Sequence, residues 1–144
     1  GASGFVGTHV LQALAASGAS VRAAVRTPAV VVPGVDCVPV GDLAGGGDWT
    51  RALAGVDAVV HAAARVHATG AAARDESAFS AVNVVATEKL ARACAAAGVR
   101  RLVFVSSVKV NGEATAERPF TADDAPQPDD AYGRSKLAAE RVLA

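Results

Sequence analysis

Short apolar runs rich in β-branched residues alternate along the chain with longer Ala-rich stretches of helical character, the pattern of β-α-β units feeding a parallel sheet buried on both faces. The pattern predicts a helix from Phe5 to Ala16, closed by Ser17-Gly18, and a strand from Val21 to Arg26. Pro28 and Pro33 mark the following loop, and Asp36 to Val40 reads as a second strand, kept short or near an edge by Pro39. Asp48 caps a short predicted helix through Leu53, and Ala58 to Ala63 reads as a third strand after the Gly55-Val56-Asp57 turn. The stretch from Ala64 to Arg74 reads as loop. Phe79, Val82, Ala86, Leu90, Ala93 and Ala97 then recur at helical spacing up to Gly98. Arg101 to Ser107 supplies a fourth strand. A Pro- and Asp-rich connection from Gly112 to Asp130 is long enough to suggest a functional loop, and Tyr132 to Leu143 reads as the last helix.

Composition narrows this picture. The 144 residues are 51% hydrophobic, enough for one domain with a sizeable core. Fourteen basic residues balance fourteen acidic ones and no basic run occurs, so neither nucleic acid nor an anionic membrane surface is an expected partner. Cys37 and Cys94 lie far apart in apolar surroundings and read as reduced thiols, which makes a cytoplasmic setting the expectation. The longest apolar runs are broken well short of a membrane span, and no signal peptide is visible.

Chemistry enters at the first residue. Gly1, Gly4 and Gly7 form G-x-x-G-x-x-G directly before a predicted helix, the context a dinucleotide site requires. Glycines allow the tight turn and the close approach of a pyrophosphate, while the helix N-terminus around Phe5 and Val6 offers free N–H groups and partial positive charge. A tight turn with no ligand is the bland alternative. At the end of the next strand, where an acidic residue usually accepts hydrogen bonds from the adenosine ribose, the chain has Val25-Arg26. A guanidinium there suits a 2′-phosphate, so NADP is expected slightly ahead of NAD, unless Arg26 is only a solvated surface charge. Asp42-Leu43 is placed to receive the adenine amino group, and Asp42 reads equally well as a strand-ending Asx turn.

Tyr132-Gly133-Arg134-Ser135-Lys136 puts a phenol and an ammonium on one helix face, where the cation favours the phenolate and so prepares Tyr132 to exchange a proton with a carbinol. An amphipathic surface helix is the plainer reading. Ser106-Ser107 stands at the C-terminal end of a predicted parallel strand, the edge at which open α/β sheets bind ligands.

Taken together, Gly1 to Gly7, Asp42-Leu43, His61-Ala62-Ala63, Asn83-Val84, Ser106-Ser107 and Tyr132-x-x-x-Lys136 resemble, in order and spacing, the extended short-chain dehydrogenases/reductases. The segment Phe104 to Glu113 is similar to the catalytic serine segment of the NAD-dependent epimerase/dehydratase branch, with Asn111 where that branch usually has Tyr. The resemblance implies an α/β fold, a Rossmann-like doubly wound parallel sheet spanning residues 1–144. It also implies a chain truncated at both ends, its first strand and C-terminal substrate domain missing. Because the chain opens on Gly1 inside the turn and contains no Met, the reading expects neighbouring strands left unpaired and part of the core exposed.

Carried over by position, the resemblance makes Tyr132 the acid/base, Lys136 the residue that holds the nicotinamide ribose, and Ser107 rather than Ser106 the hydroxyl that orients the substrate oxygen. Lys109 joins Ser107 as a substrate contact, Ala62 and Ala63 line the cofactor, and Asn83 bridges near it unless it serves a buried structural hydrogen bond. Ala86 replaces the usual Gly of the Asn-Val-x-Gly-Thr segment. The implied activity is that of a nucleotide-sugar epimerase, dehydratase or reductase exchanging hydride with C4 of a UDP-hexose, in a parent expected to be a homodimer. The alternatives are an NADPH-dependent reductase of a non-sugar ketone, suggested by Val21 to Arg26, and a non-catalytic nucleotide-binding sensor. His9, His61 and His67 lack metal-ligand spacing, so no metal is expected. Asp123, Asp124, Asp129 and Asp130 read as caps of turns or of the last helix, and Trp49 as core.

Overall fold

The computed structural model describes residues 1–28, 31–66, 69–115 and 117–144. His67 therefore lies outside the described residues. The described residues form five α-helices and four strands, in the order α1 (Phe5–Ala16), β1 (Arg22–Val25), β2 (Asp36–Pro39), α2 (Thr50–Leu53), β3 (Ala58–His61), α3 (Glu76–Phe79), α4 (Ala86–Ala96), β4 (Arg101–Phe104) and α5 (Ala131–Leu143). The predicted order is reproduced, with strands shorter at their ends than the apolar runs suggest. A short 3-10 turn at Gly70–Arg74 interrupts the expected loop.

All observed strand pairing is parallel. Arg22 stands opposite Asp36 and Val25 opposite Pro39 in the first pair, and Ala58 opposite Arg101 and His61 opposite Phe104 in the second. Among the described residues the two pairs form separate two-stranded sheets. The parallel pairs match the Rossmann-like α/β fold that the resemblance implies. Val60 and Val103 stay 42% and 45% exposed, while the alternate residues Val59 and Leu102 pack against Leu53, Leu90 and Cys94.

Three small clusters form part of the core among the described residues. Leu11 of α1 packs on Ala23 and Val25 of β1; Val38, Val40 and Ala52 form a second cluster; Leu53, Leu90 and Cys94 form the third. Trp49 is only partly buried and touches the last two, with its indole N–H donating to the Gly46 carbonyl at 3.1 Å. Gly18, at φ 81°, lets the chain reverse after α1. Arg22 ties β1 to α2 by donating to the Arg51, Ala52 and Ala54 carbonyls at 2.9 to 3.2 Å, carbonyls that a helix end leaves without intrahelical partners. No described helix is long and apolar enough to cross a membrane.

The stretch between α3 and α4 departs from a regular helix. Ser80–Val85 is a π-helical segment, so Glu76 to Ala96 is helical throughout but gains one residue per turn in its middle. Asn83 sits inside that segment.

Candidate functional site

The glycine turn is built by close contact of main chains. The Gly4 N–H donates to the Gly1 carbonyl at 3.0 Å. A Cβ on Gly7 would stand 2.0 Å from that same carbonyl oxygen, and one on Gly1 2.3 Å from the Ala62 carbonyl carbon. The turn therefore lies directly on Ala62-Ala63, at the exit of β3. The N-terminus of the twelve-residue α1 has no side-chain cap, and Phe5 and Val6 are exposed there. A cradle closed to a Cβ at Gly1 and Gly7, beneath uncapped amides, fits a pyrophosphate. Arg26 is exposed at the end of β1. Asp42 realises the Asx-turn reading: its carboxylate accepts from the Ala44 N–H at 3.1 Å and caps the 3-10 turn that begins at Leu43.

On the other side of β3, α5 docks along the exit of β4. Ser107 is extended at φ −152° and ψ 144°, and its hydroxyl and carbonyl accept from the Lys109 and Val110 N–H groups. The resulting turn packs on the start of α5 so tightly that a Cβ on Gly133 would stand 2.5 Å from the Lys109 carbonyl. This brings Ser107 and Tyr132 to one locality. Tyr132 is half-buried, with its ring 6.2 Å from that of Phe79. Lys136, only 1% exposed, donates from Nζ to the Val105 carbonyl at 2.7 Å and sits 3.8 Å from the Phe104 ring centroid. Burial pushes its pKa down to about 8, against the opposing charge of Glu140.

A chain of buried hydrogen bonds supports this group. Asn83 donates to the Ser135 hydroxyl at 2.9 Å and to the Arg65 carbonyl at 3.1 Å, and accepts from the Arg65 N–H at 2.7 Å. Ser135 passes the connection on to the Tyr132 carbonyl at 2.7 Å. Thr87, fully buried, donates to the Asn83 carbonyl at 2.8 Å and meets His61 Nε2 at 2.8 Å. The π-helical turn swings Asn83 inward to make these bonds, so the structural role weighed for Asn83 is present. His61 is 5% exposed; burial, then the Lys136 charge, push its pKa down to about 4. It is a neutral hydrogen-bonding residue at ordinary pH.

Lys109 does not stand free toward the site. Its ammonium lies 2.5 Å from Glu113 and 2.9 Å from Asp130, and these carboxylates hold its pKa above the ordinary lysine value. Asp130 also caps α5, accepting from the Gly133 N–H at 2.6 Å, which agrees with the capping reading of that aspartate. Asp124 accepts from Arg118 and from the Thr121 N–H. Among the described residues no three His, Cys, Asp or Glu side chains gather as metal ligands.

Three participants escape the sequence reading: Ser135, Thr87 and Glu140. Ser106 donates its hydroxyl to Glu140. Glu140 follows Lys136 by four residues as Lys136 follows Tyr132, so its place on the same helix face was legible from spacing.

Comparison with known proteins gives the family. A family model described as the NAD dependent epimerase/dehydratase family matches residues 1–144. A UDP-glucose 4-epimerase of Vibrio cholerae is 38% identical over 99% of the chain, and a 3-beta-hydroxysteroid dehydrogenase of Mycolicibacterium neoaurum is 34% identical over the same share. Among solved structures, the UDP-glucose 4-epimerase from Brucella ovis in complex with NAD superposes with a TM-score of 0.84 at 28% identity over 99% of the chain. The chain spans 44%, 41% and 45% of the lengths of these three proteins.

Proposed function

The chain belongs to the NAD dependent epimerase/dehydratase family, and from that premise we propose that it carries the dinucleotide-binding and acid/base residues of a nucleotide-sugar epimerase, dehydratase or reductase. The observation that carries this reading is the docking of the Tyr132 and Lys136 helix onto the Ser107 turn, with the glycine turn packed on the neighbouring strand exit.

In this reading the main chain at Gly4, Phe5, Val6 and Gly7 binds the pyrophosphate. Ala62 and Ala63, under the same turn, line the floor. A bound nicotinamide dinucleotide supplies hydride transfer at C4 of a UDP-linked hexose. Ser107 orients the reacting oxygen by hydrogen bond, and Tyr132 takes or returns its proton. Lys136 holds a positive charge beside Tyr132 and donates to the ribose. Asn83 and Ser135 hold the first turn of α5 through the Tyr132 carbonyl. Arg26, in place of a carboxylate, supports a 2′-phosphate and so NADP, whereas the Brucella relative carries NAD.

The test is Tyr132→Phe in the full-length protein, assayed with UDP-glucose and each dinucleotide. We expect turnover to fall by about a hundredfold or more with dinucleotide affinity within about twofold of the unmodified protein. Undiminished turnover removes Tyr132 from the chemistry. The Mycolicibacterium relative favours a second reading, oxidation of a non-sugar carbinol, and a 3β-hydroxysteroid in the same assay is its discriminating substrate.

A further inference from the structure

Two consecutive residues leave β4 and each is grasped by α5. The Val105 carbonyl accepts from Lys136, and the Ser106 hydroxyl donates to Glu140, one helical turn further on. With the contact between Gly133 and Lys109, these fix α5 against the strand exit at three successive turns. Ser106 is thereby turned toward Glu140, and Ser107 keeps its own turn.

The surroundings of Lys136 give Glu140 a second role. From β3, His61 faces the lysine, neutral because it is buried; from β4 comes the Phe104 ring; on α5 itself stand Tyr132 and Glu140. Burial drives the lysine toward its neutral form, and Glu140 supplies the negative charge that resists this.

We infer that Glu140, tethered by Ser106, is a positioning residue that keeps Lys136 cationic and α5 in register with Ser107. The inference rests on the proposed acid/base reading of Tyr132 and Lys136. Glu140 touches neither substrate nor cofactor in this account; it acts through Lys136.

Charge and tether separate by substitution. Glu140→Gln keeps an acceptor for Ser106 and removes the charge. Protonated Lys136 is the working form, so activity falls as pH rises through its pKa, and lowering that pKa moves the alkaline limb of kcat to lower pH. We expect a displacement of about one pH unit in Glu140→Gln. Ser106→Ala leaves the charge and cuts the tether; it lowers kcat about fivefold with KM unchanged, and Ser106→Thr restores it. An alkaline limb in Glu140→Gln that overlies the unmodified profile overturns the charge role, and full kcat in Ser106→Ala overturns the tether. Tyr132→Phe, run alongside, keeps the two readings apart: if it alone abolishes turnover, only the Glu140 inference fails, and if it retains turnover, the acid/base reading fails first. Where Glu140→Gln does not fold, the pH profile of Ser106→Ala decides: Glu140 released from its tether supports the Lys136 charge less, and an alkaline limb that overlies the unmodified profile overturns the charge role.

Discussion

The two sides of β3 hold their functional groups by different means. At the glycine turn the fixing contacts are between main chains: Gly4 to Gly1, and Gly1 against Ala62. Around α5 they are made by buried side chains: His61 meets Thr87, Thr87 donates to the Asn83 carbonyl, the Asn83 amide donates to Ser135, and Lys136 donates to the carbonyl at the strand exit. A main-chain cradle tolerates any neighbouring side chain but no Cβ at its own contact points. A side-chain network tolerates small backbone changes but leaves buried polar atoms unpaired when one member is lost. The contrast makes different substitutions fatal on each side.

The largest effect belongs to the cradle. A methyl group at Gly7 would overlap the Gly1 carbonyl at 2.0 Å, so α1 must move off the turn, whereas one at Gly4 meets the same oxygen at 3.3 Å and needs only a slight adjustment. We expect Gly7→Ala to weaken dinucleotide binding about a thousandfold, about 4 kcal/mol, and Gly4→Ala by less than about tenfold. Calorimetric titration of both variants measures the difference; equal affinities would erase the distinction between contact points and free positions.

The network gives the next effect, through pH. His61 titrates near 4 when folded and near 6.5 as a free side chain, so between these values the unfolded chain binds the extra proton. Stability is fully present above about pH 6.5 and drains as pH falls toward 4. The shift corresponds to at most about 3 kcal/mol. His61→Gln, which keeps a polar atom opposite Thr87, flattens that part of the profile. Urea unfolding at pH 6.5 and pH 4.5 checks this, and an equally steep loss in His61→Gln assigns the acid sensitivity to other groups.

This contrast also explains what was legible beforehand. The ends of α1 follow from Gly4 and Gly18, because glycine marks backbone geometry, and the parallel pairing follows from β-branched runs separated by helices. The π-helical turn did not announce itself: Phe79, Val82 and Ala86 fit an ordinary helical stripe, and one added residue per turn is invisible at that spacing. Asn83 is turned inward by bonds to Arg65, eighteen residues earlier, and to Ser135, fifty-two residues later, which no local pattern contains. The separation of the two strand pairs is likewise a matter of pairing rather than of propensity, and Val60 and Val103 look like core in the sequence because strand patterns do not say what covers a face. The resemblance makes Lys109 a substrate contact, while its carboxylate partners Glu113 and Asp130 are supplied by the long loop and by the helix cap.

The smallest effect tests whether the start of α5 is held by its cap or by charge. Asp130 uses one carboxylate oxygen for the Gly133 N–H and the other for Lys109. Loss of an N-cap acceptor costs about 1 kcal/mol, whereas a half-exposed ion pair adds little because solvent screens it. Asp130→Ala should therefore lower stability by about 1 kcal/mol, and Asp130→Asn, which retains an oxygen for Gly133, by only a few tenths, about 0.3 kcal/mol. Thermal melts in low and high salt read both terms at once. If the two variants lose the same amount, and salt removes the loss, then charge rather than the cap fixes the first turn of the Tyr132 helix, and the α5 side depends on its surface more than its buried network implies.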